Sequence, residues 1–143
     1  MPTTPRKPPS RIRGQFKSVP RLVDGNTVLM TEHEVQREFI KWFRQNFINI
    51  RIFAIPNGGY RSKIQAMKLK AEGVSKGVPD LFCPELYLWI EMKREKGGIV
   101  SPEQRDWLNY LAEIGYATII GRGLDDAKKQ VIEYMQSCDH IKK

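Results

Sequence analysis

The sequence has little cysteine, no long apolar run and too few acidic residues to balance its basic ones. Cys83 and Cys138 lie far apart, outside any Cys-x-x-Cys or His-rich setting, which argues against a disulfide framework and a structural zinc site. No stretch approaches the ~20 apolar residues of a membrane span, and the N-terminus lacks the apolar segment of a secretory signal. We therefore expect a cytoplasmic protein that does not enter a membrane.

A positive charge excess dominates what is present. The 143 residues contain 24 Lys and Arg against 16 Asp and Glu, a net charge of +8 that favours an anionic partner, either nucleic acid or an acidic membrane surface. Residues 1–30 carry much of this excess together with most of the prolines, so we expect a basic, Pro-rich arm there. Residues 31–143 then form a single folded domain.

Helical and strand patterns alternate along this domain. Thr31 and Glu34 have the spacing of a capping box, which predicts a helix over about residues 32–46. Further along, the patterns predict a strand over 48–56, a helix or structured loop over 61–73, strands over 80–83 and 85–95, a helix over 101–115, a strand over 116–121 and a helix over 124–138. This order predicts an α/β fold with a mixed sheet flanked by helices.

Charged side chains interrupt the apolar pattern of the strand over 85–95. Glu91 and Lys93 point to the same face because strand side chains alternate, and Asp80 begins the neighbouring strand. Two carboxylates at this place suit a hard metal ion such as Mg²⁺, with the backbone carbonyl of Met92 as a further oxygen ligand. Lys93 would then face the substrate and stabilise developing charge. Glu34 is a candidate fourth group, reaching the metal directly or through water.

The motifs together resemble the VRR-NUC family of the PD-(D/E)XK, restriction-endonuclease-like superfamily. The resemblance is carried by "PNGGYRSKIQAMKLKAEGVSKGVPDLF", by the "IEMK" strand and by "GGIVSPEQRDWL". It implies an αβββαβ core, dependence on Mg²⁺ or Mn²⁺, and hydrolysis of phosphodiester bonds in DNA. Stand-alone members of the family are common in phages and bacteria, so the expected compartment is the cytoplasm of a bacterium or of a phage-infected cell. The residues that fill the catalytic pattern by position are Glu34, Asp80, Glu91, Lys93 and Gln104.

The same resemblance places a second group of residues near the substrate. Asn57 and Arg61 follow the first strand, and a basic segment leads from there to the catalytic strand. The candidates for contact with the DNA backbone are Asn57, Arg61, Lys63, Lys68, Lys70 and Lys76. These lysines could equally form an ordinary solvated face.

Structural roles compete with each catalytic assignment. Glu34 and Gln104 both occupy capping-box positions, so each could serve only its own helix. Asp80 could be a turn residue, and Glu91 with Lys93 a structural ion pair. The expected function is a metal-dependent DNA endonuclease, structure-selective, acting as a homodimer and using no small-molecule cofactor. The alternatives are a Holliday-junction resolvase and a non-catalytic DNA-binding module with the same fold.

Overall fold

A computed structural model describes residues 29–56 and 62–140 of the chain. The elements are α1 (Glu32–Asn46), β1 (Phe53–Ala54), α2 (Lys63–Ala71), β2 (Leu81–Cys83), β3 (Leu88–Lys93), α3 (Pro102–Glu113), β4 (Ala117–Arg122) and α4 (Leu124–His140). A short 3-10 turn, Pro84–Leu86, joins β2 to β3. The order of elements confirms the predicted α/β architecture. The predicted arm lies outside the described residues except for Leu29 and Met30.

The four strands form one mixed sheet in the order β1-β2-β3-β4. The pairs β1–β2 and β2–β3 are antiparallel, whereas β3 and β4 are parallel and are connected through α3. Antiparallel neighbours need only a tight connection, and parallel neighbours need a crossover element, so the short turn after β2 and the helix after β3 dictate this topology. The mixed sheet expected from the sequence is confirmed.

The main core lies between the sheet and the pair α1 and α4. Helix α1 begins at Thr31, whose side chain and Glu34 close the predicted capping box, and it buries a face rich in aromatic residues. Gly121 of β4 faces Ala127 of α4 so closely that an added Cβ would lie 2.7 Å from the Ala127 side chain. The buried members of this core include Phe39, Phe43, Leu88, Ile90, Met92, Val131 and Met135.

The opposite face of the sheet carries α3. Leu108 and Leu111 of this helix are buried, yet they are not part of the core cluster beneath α1 and α4. The sheet is thus the middle of three layers. Along β3, side chains that alternate between the two faces therefore meet two different environments.

Two strands are shorter than the sequence indicated. The predicted strand over 48–56 pairs only at Phe53–Ala54, because the segment before it is irregular. The predicted strand over 85–95 is reduced to Leu88–Lys93, since Pro84 starts a 3-10 turn that ends at Tyr87 with a left-handed φ of 49°. Helix α2 confirms the predicted helical segment at Lys63–Ala71. Among 29–56 and 62–140, no helix is both long and apolar enough to cross a bilayer.

Candidate active site

Glu91 and Lys93 lie in the middle of the protein although both are charged. Their relative exposures are 0% and 5%, whereas residues of these types are almost never fully buried unless they are paired. The Lys93 Nζ atom lies 3.5 Å from Glu91 Oε1. Both side chains occupy the face of β3 opposite to Ile90 and Met92, as the alternation predicted. The pair is therefore a buried ion pair within the fold and not a contact between surface side chains.

Asp80 joins this pair from the start of β2. The backbone amide of Met92 donates a hydrogen bond of 2.7 Å to Asp80 Oδ2, which fixes the carboxylate against β3. The antiparallel register pairs Leu81 with Ile90, and continuing it by one step sets Asp80 opposite Glu91. Two carboxylates and one ammonium thus meet at the same end of neighbouring strands, where the sequence predicted them.

Beyond its ion pair with Lys93, the carboxylate of Glu91 has no hydrogen bond of standard geometry within the described part of the chain. Both of its oxygens, Oε1 and Oε2, are buried. Burial first, and then the nearby charge of Asp80, raise the pKa of Glu91 to about 8, although Lys93 opposes the shift. Burial likewise raises the pKa of Asp80, although the hydrogen bond from the Met92 amide lowers it in part. An unsatisfied, desolvated carboxylate is costly for folding, so this arrangement needs a reason other than stability.

The donor set fits a hard divalent cation. Glu91 offers Oε2, which takes no part in the ion pair with Lys93, and Asp80 offers an oxygen not used by the Met92 amide. A positive charge would relieve the repulsion between the two carboxylates. Within 29–56 and 62–140, however, no three His, Cys, Asp or Glu side chains are grouped closely enough to hold a metal. A bound Mg²⁺ would therefore keep water or substrate oxygens as its other ligands, as this ion usually does.

A cleft of about 680 Å³ opens beside Asp80. Its walls come from the first turns of α1, the end of β1, the loop before β2 and the first turn of α3. Of Asp80, Glu91 and Lys93, only Asp80 is among the residues that line the cleft. A substrate phosphate entering the cleft would therefore meet Asp80 before Glu91 or Lys93.

A glycine brings the loop before β2 against α3. Gly77 has a φ of 90°, and an added Cβ would lie 2.7 Å from the carbonyl carbon of Glu103. Lys76 forms an ion pair with Glu103 at 3.5 Å next to this contact. Because Asp80 follows three residues later, the close approach at Gly77 sets the position of the carboxylate. Only glycine combines this backbone conformation with this lack of space.

Gln104 lines the cleft, and it also caps its own helix. Its Oε1 atom accepts a hydrogen bond of 2.9 Å from the Ser101 amide, and its backbone amide donates to the Ser101 hydroxyl. Both roles that the sequence offered for Gln104 are thus compatible with its position. Its catalytic role stays a prediction.

Glu34 is held in the cap of its own helix and not beside Asp80 and Glu91. Its Oε2 atom accepts a hydrogen bond of 2.8 Å from the Thr31 amide, and this backbone hydrogen bond is the main reason that the pKa of Glu34 is lowered. Its side chain does not line the cleft. The structure therefore shows the capping role of Glu34 and does not bring it to Asp80 and Glu91. Its role as a metal ligand stays a prediction without a supporting contact.

Other polar residues of α1 line the cleft and were missed by the sequence reasoning. Glu32, His33 and Gln36 face it, with Glu32 and Gln36 one helical turn apart. The signal was available, because positions 32 and 36 continue the row of the helix that leads to the buried Phe39 and Phe43. A polar pair in that row indicates the edge of a site.

The proposed DNA-contact residues are divided among three places. Lys76 lines the cleft. Lys63, Lys68 and Lys70 belong to α2, a fully described helix in which no residue is buried. Asn57 and Arg61 lie outside the described residues. The structure therefore leaves the α2 lysines accessible to a phosphate backbone and does not place them in the lining of the cleft.

Two comparisons with known proteins point to the same domain family. A family model for the VRR-NUC domain matches residues 29–123. A solved structure named "VRR_NUC domain protein" is 27% identical to the chain, covers 76% of it and 90% of its own length, and superposes with a TM-score of 0.63. A search of curated proteins finds no match. The matched residues run from the start of α1 to the end of β4 and include every wall of the cleft.

Proposed function

Because the chain belongs to the VRR-NUC domain family, a nuclease-type family, we propose that it is a DNA endonuclease that depends on Mg²⁺ or Mn²⁺. The observation that carries the proposal is the buried Glu91, which lies beside Asp80 and is ion-paired with Lys93, but whose carboxylate oxygens accept no hydrogen bond of standard geometry from the described residues. The ion pair with Lys93 at 3.5 Å engages only Oε1 and leaves neither oxygen with a hydrogen bond of standard geometry among the described residues. A catalytic carboxylate keeps them available for a ligand.

Asp80 and Glu91 would hold the metal ion, together with the backbone carbonyl of Met92. The ion, when bound, supplies positive charge that lowers the pKa of a neighbouring water and neutralises the phosphate. The hydrogen bond from the Met92 amide keeps Asp80 in place for this task. The cost of burying Glu91 is then offset by the ligand that it binds.

Lys93 would act on the substrate and on the attacking water. Its ammonium lies 3.5 Å from Glu91 Oε1 and shares the same face of β3, so it can donate hydrogen bonds to water and to a phosphate oxygen. Water would attack phosphorus while the bond from phosphorus to the leaving oxygen breaks. The attacking water would release a proton to solvent, the leaving oxygen would take one up from solvent, and Lys93 would stabilise the charge that gathers on the phosphate oxygens. Removal of such a donor costs roughly 10²- to 10³-fold in rate.

Recognition of DNA would rest on phosphates and on DNA structure. Lys63, Lys68 and Lys70 are exposed on α2, and Lys76 lines the cleft, which supports contacts that do not depend on sequence. Structure selectivity is therefore part of the proposal. One site cuts one strand, so a twofold homodimer would supply the second site for the other strand.

The deciding experiment is a cleavage panel with purified protein on linear, nicked, flap, splayed and four-way DNA. We expect cleavage with Mg²⁺ or Mn²⁺, none in EDTA, and none by Asp80→Asn, which should still bind DNA. Paired symmetric nicks on the four-way substrate would identify a Holliday-junction resolvase. DNA binding without cleavage under any metal condition would identify a non-catalytic module and contradict the proposal.

A further inference from the structure

A row of aromatic side chains crosses the sheet beside the carboxylates. Phe53 of β1, Phe82 of β2 and Trp89 of β3 are successive partners in the strand register. Phe82 and Trp89 stack with ring centroids 4.3 Å apart, and Phe53 meets Phe82 edge-on at 5.7 Å. Tyr116, just before β4, contacts both Phe82 and Trp89. We call Phe53, Phe82, Trp89 and Tyr116 the aromatic row.

The aromatic row shares its sheet face with the candidate active site. Phe82 follows Asp80 by two residues on one strand, and Trp89 precedes Glu91 by two residues on the next. The period of two in a strand puts each aromatic side chain on the same side as its acidic neighbour, about 6.5 to 7 Å away along the strand. Phe53 is one strand further out, at a Cα distance of about 8 Å from Asp80 by the same geometry.

The row ends in an accessible ring. Phe53 lies on the edge strand β1 and is 45% exposed, while the other three members are half-buried. Arg51, two residues before Phe53, is also exposed. An exposed phenyl ring continued by a packed aromatic stack, with an exposed arginine two residues away in the chain, has the composition of a surface that holds unpaired bases.

We propose that the aromatic row binds an unpaired base of the DNA substrate, which stacks on Phe53 at the edge of the sheet. This inference rests on the proposed nuclease function and specifies its substrate class. Bases within a duplex already cover one another's faces, so only an unpaired nucleotide offers a free face to the ring. The position of the row then favours a scissile phosphate that lies close to a flap, an overhang or another unpaired segment.

A second copy of the chain fits this surface less well. Strand β1 pairs over only two residues, Phe53–Ala54, and such a short edge is a poor template for strand pairing between chains. A stable dimer needs about 800 Å² from each partner, far more than one half-exposed ring provides. The exposed Arg51 and the net charge of +8 favour a polyanion instead.

The test compares binding of a single-stranded oligonucleotide and of a blunt duplex by anisotropy. Measurements use the Asp80→Asn protein and, as a second background, the wild-type protein in EDTA, so that no cleavage intervenes. Phe53→Leu keeps apolar volume but removes the π-face, and Phe53→Trp retains it. The matched control is Tyr110→Leu, since Tyr110 is 50% exposed and its ring contacts Trp107.

We expect Phe53→Leu to weaken single-strand binding by roughly 5- to 100-fold, the range typical of one lost base stack, with duplex binding changed by less than about twofold. Phe53→Trp should bind the single strand about as tightly as the unsubstituted protein, and Tyr110→Leu should change neither the single-strand nor the duplex affinity. The inference would be overturned if Phe53→Leu weakened binding of both DNAs equally or of neither. It would also be overturned if the substitution changed the molar mass measured by light scattering without changing affinity. The cleavage panel separates the two claims. If the wild-type protein cleaves DNA but Phe53→Leu does not change single-strand affinity, only the base-stacking proposal is overturned. If Phe53→Leu selectively weakens single-strand binding but the wild-type protein does not cleave, only the nuclease proposal is overturned.

Discussion

The two faces of β3 differ in what they contribute to the molecule. On one face, Leu88, Ile90 and Met92 are all 0% exposed and belong to the core beneath α1 and α4. On the other, Glu91 and Lys93 are also buried but polar, and beyond their ion pair the carboxylate oxygens of Glu91 have no hydrogen bond of standard geometry among the described residues. A single strand thus combines a face that stabilises the fold with a face that costs stability and carries the chemistry.

The largest expected effects come from two substitutions, one on each face of β3, that should act on cleavage and on stability separately. Asp80→Asn on the polar face should reduce cleavage by at least ~10³-fold with little change in melting temperature, because a ligand of the metal is lost. Ile90→Ala on the core face should reduce stability by about 2 to 5 kcal/mol through the cavity that it leaves. Cleavage rates per folded molecule and thermal melts measure both. An Ile90→Ala protein that stays folded yet is inactive would break the separation.

Lys93→Ala should have the next largest effect on catalysis. We expect a loss of roughly 10²- to 10³-fold in turnover, because charge on the phosphate oxygens loses its donor. The metal affinity, followed by titration calorimetry, should change little. A variant that melts far below the wild type and cleaves normally once folded would show that Lys93 only supports the strand.

Gly77→Ala tests how the polar face is positioned. The added Cβ would meet the backbone of Glu103, so the loop must shift and move Asp80 with it. Turnover should fall by roughly 10- to 100-fold, as expected for a displacement of about 1 Å at a catalytic group. The matched control is Gly73→Ala, which has a similar positive φ but nothing within 4 Å of its added Cβ. Equal losses in the two variants would assign the effect to backbone strain alone.

The smallest effect concerns Glu34. The Glu34 carboxylate accepts a hydrogen bond from the Thr31 amide and does not line the cleft. Glu34→Ala should therefore lower the melting temperature slightly and leave the cleavage rate within about twofold of the wild-type rate. Glu32→Ala is the informative partner, because Glu32 does line the cleft. Loss of cleavage with Glu34→Ala alone would restore the ligand role that the sequence suggested for it.

Most of the fold followed from local patterns. The capping boxes at Thr31 and Ser101 and the apolar faces of α1, α3 and α4 are properties of neighbouring residues, so their helices were predictable. The convergence of Asp80, Glu91 and Lys93 followed from strand alternation and from two adjacent strands. These inferences needed no knowledge of distant contacts.

The remainder depends on tertiary packing. The sequence showed that Glu32 lies in the row of α1 that leads to the buried Phe39 and Phe43, but that the cleft opens at the first turns of α1 depends on how the helix packs against the rest of the fold. The aromatic row is likewise invisible along the chain, since its members belong to separate strands or lie just before one. Register between strands, rather than pattern within them, brings these side chains together.

The central claim is that the polar face of β3 is kept for chemistry at a cost in stability, and Glu91→Gln tests it most directly. The folded-state pKa of Glu91 is raised from 4.5 to about 8, so between these values the folded protein retains a proton that the unfolded chain has released. Without metal, stability should therefore be lost as pH rises through this window. Glutamine imitates the protonated form and does not titrate.

Melting of both proteins in EDTA at about pH 5 and about pH 9 provides the measurement, beside cleavage with Mg²⁺. We predict similar melting temperatures at the lower pH, a Glu91→Gln protein more stable by about 5 °C at the higher pH, and no detectable cleavage by it. A Glu91→Gln protein that is less stable than the wild type at both pH values, and that still cleaves DNA, would contradict the account.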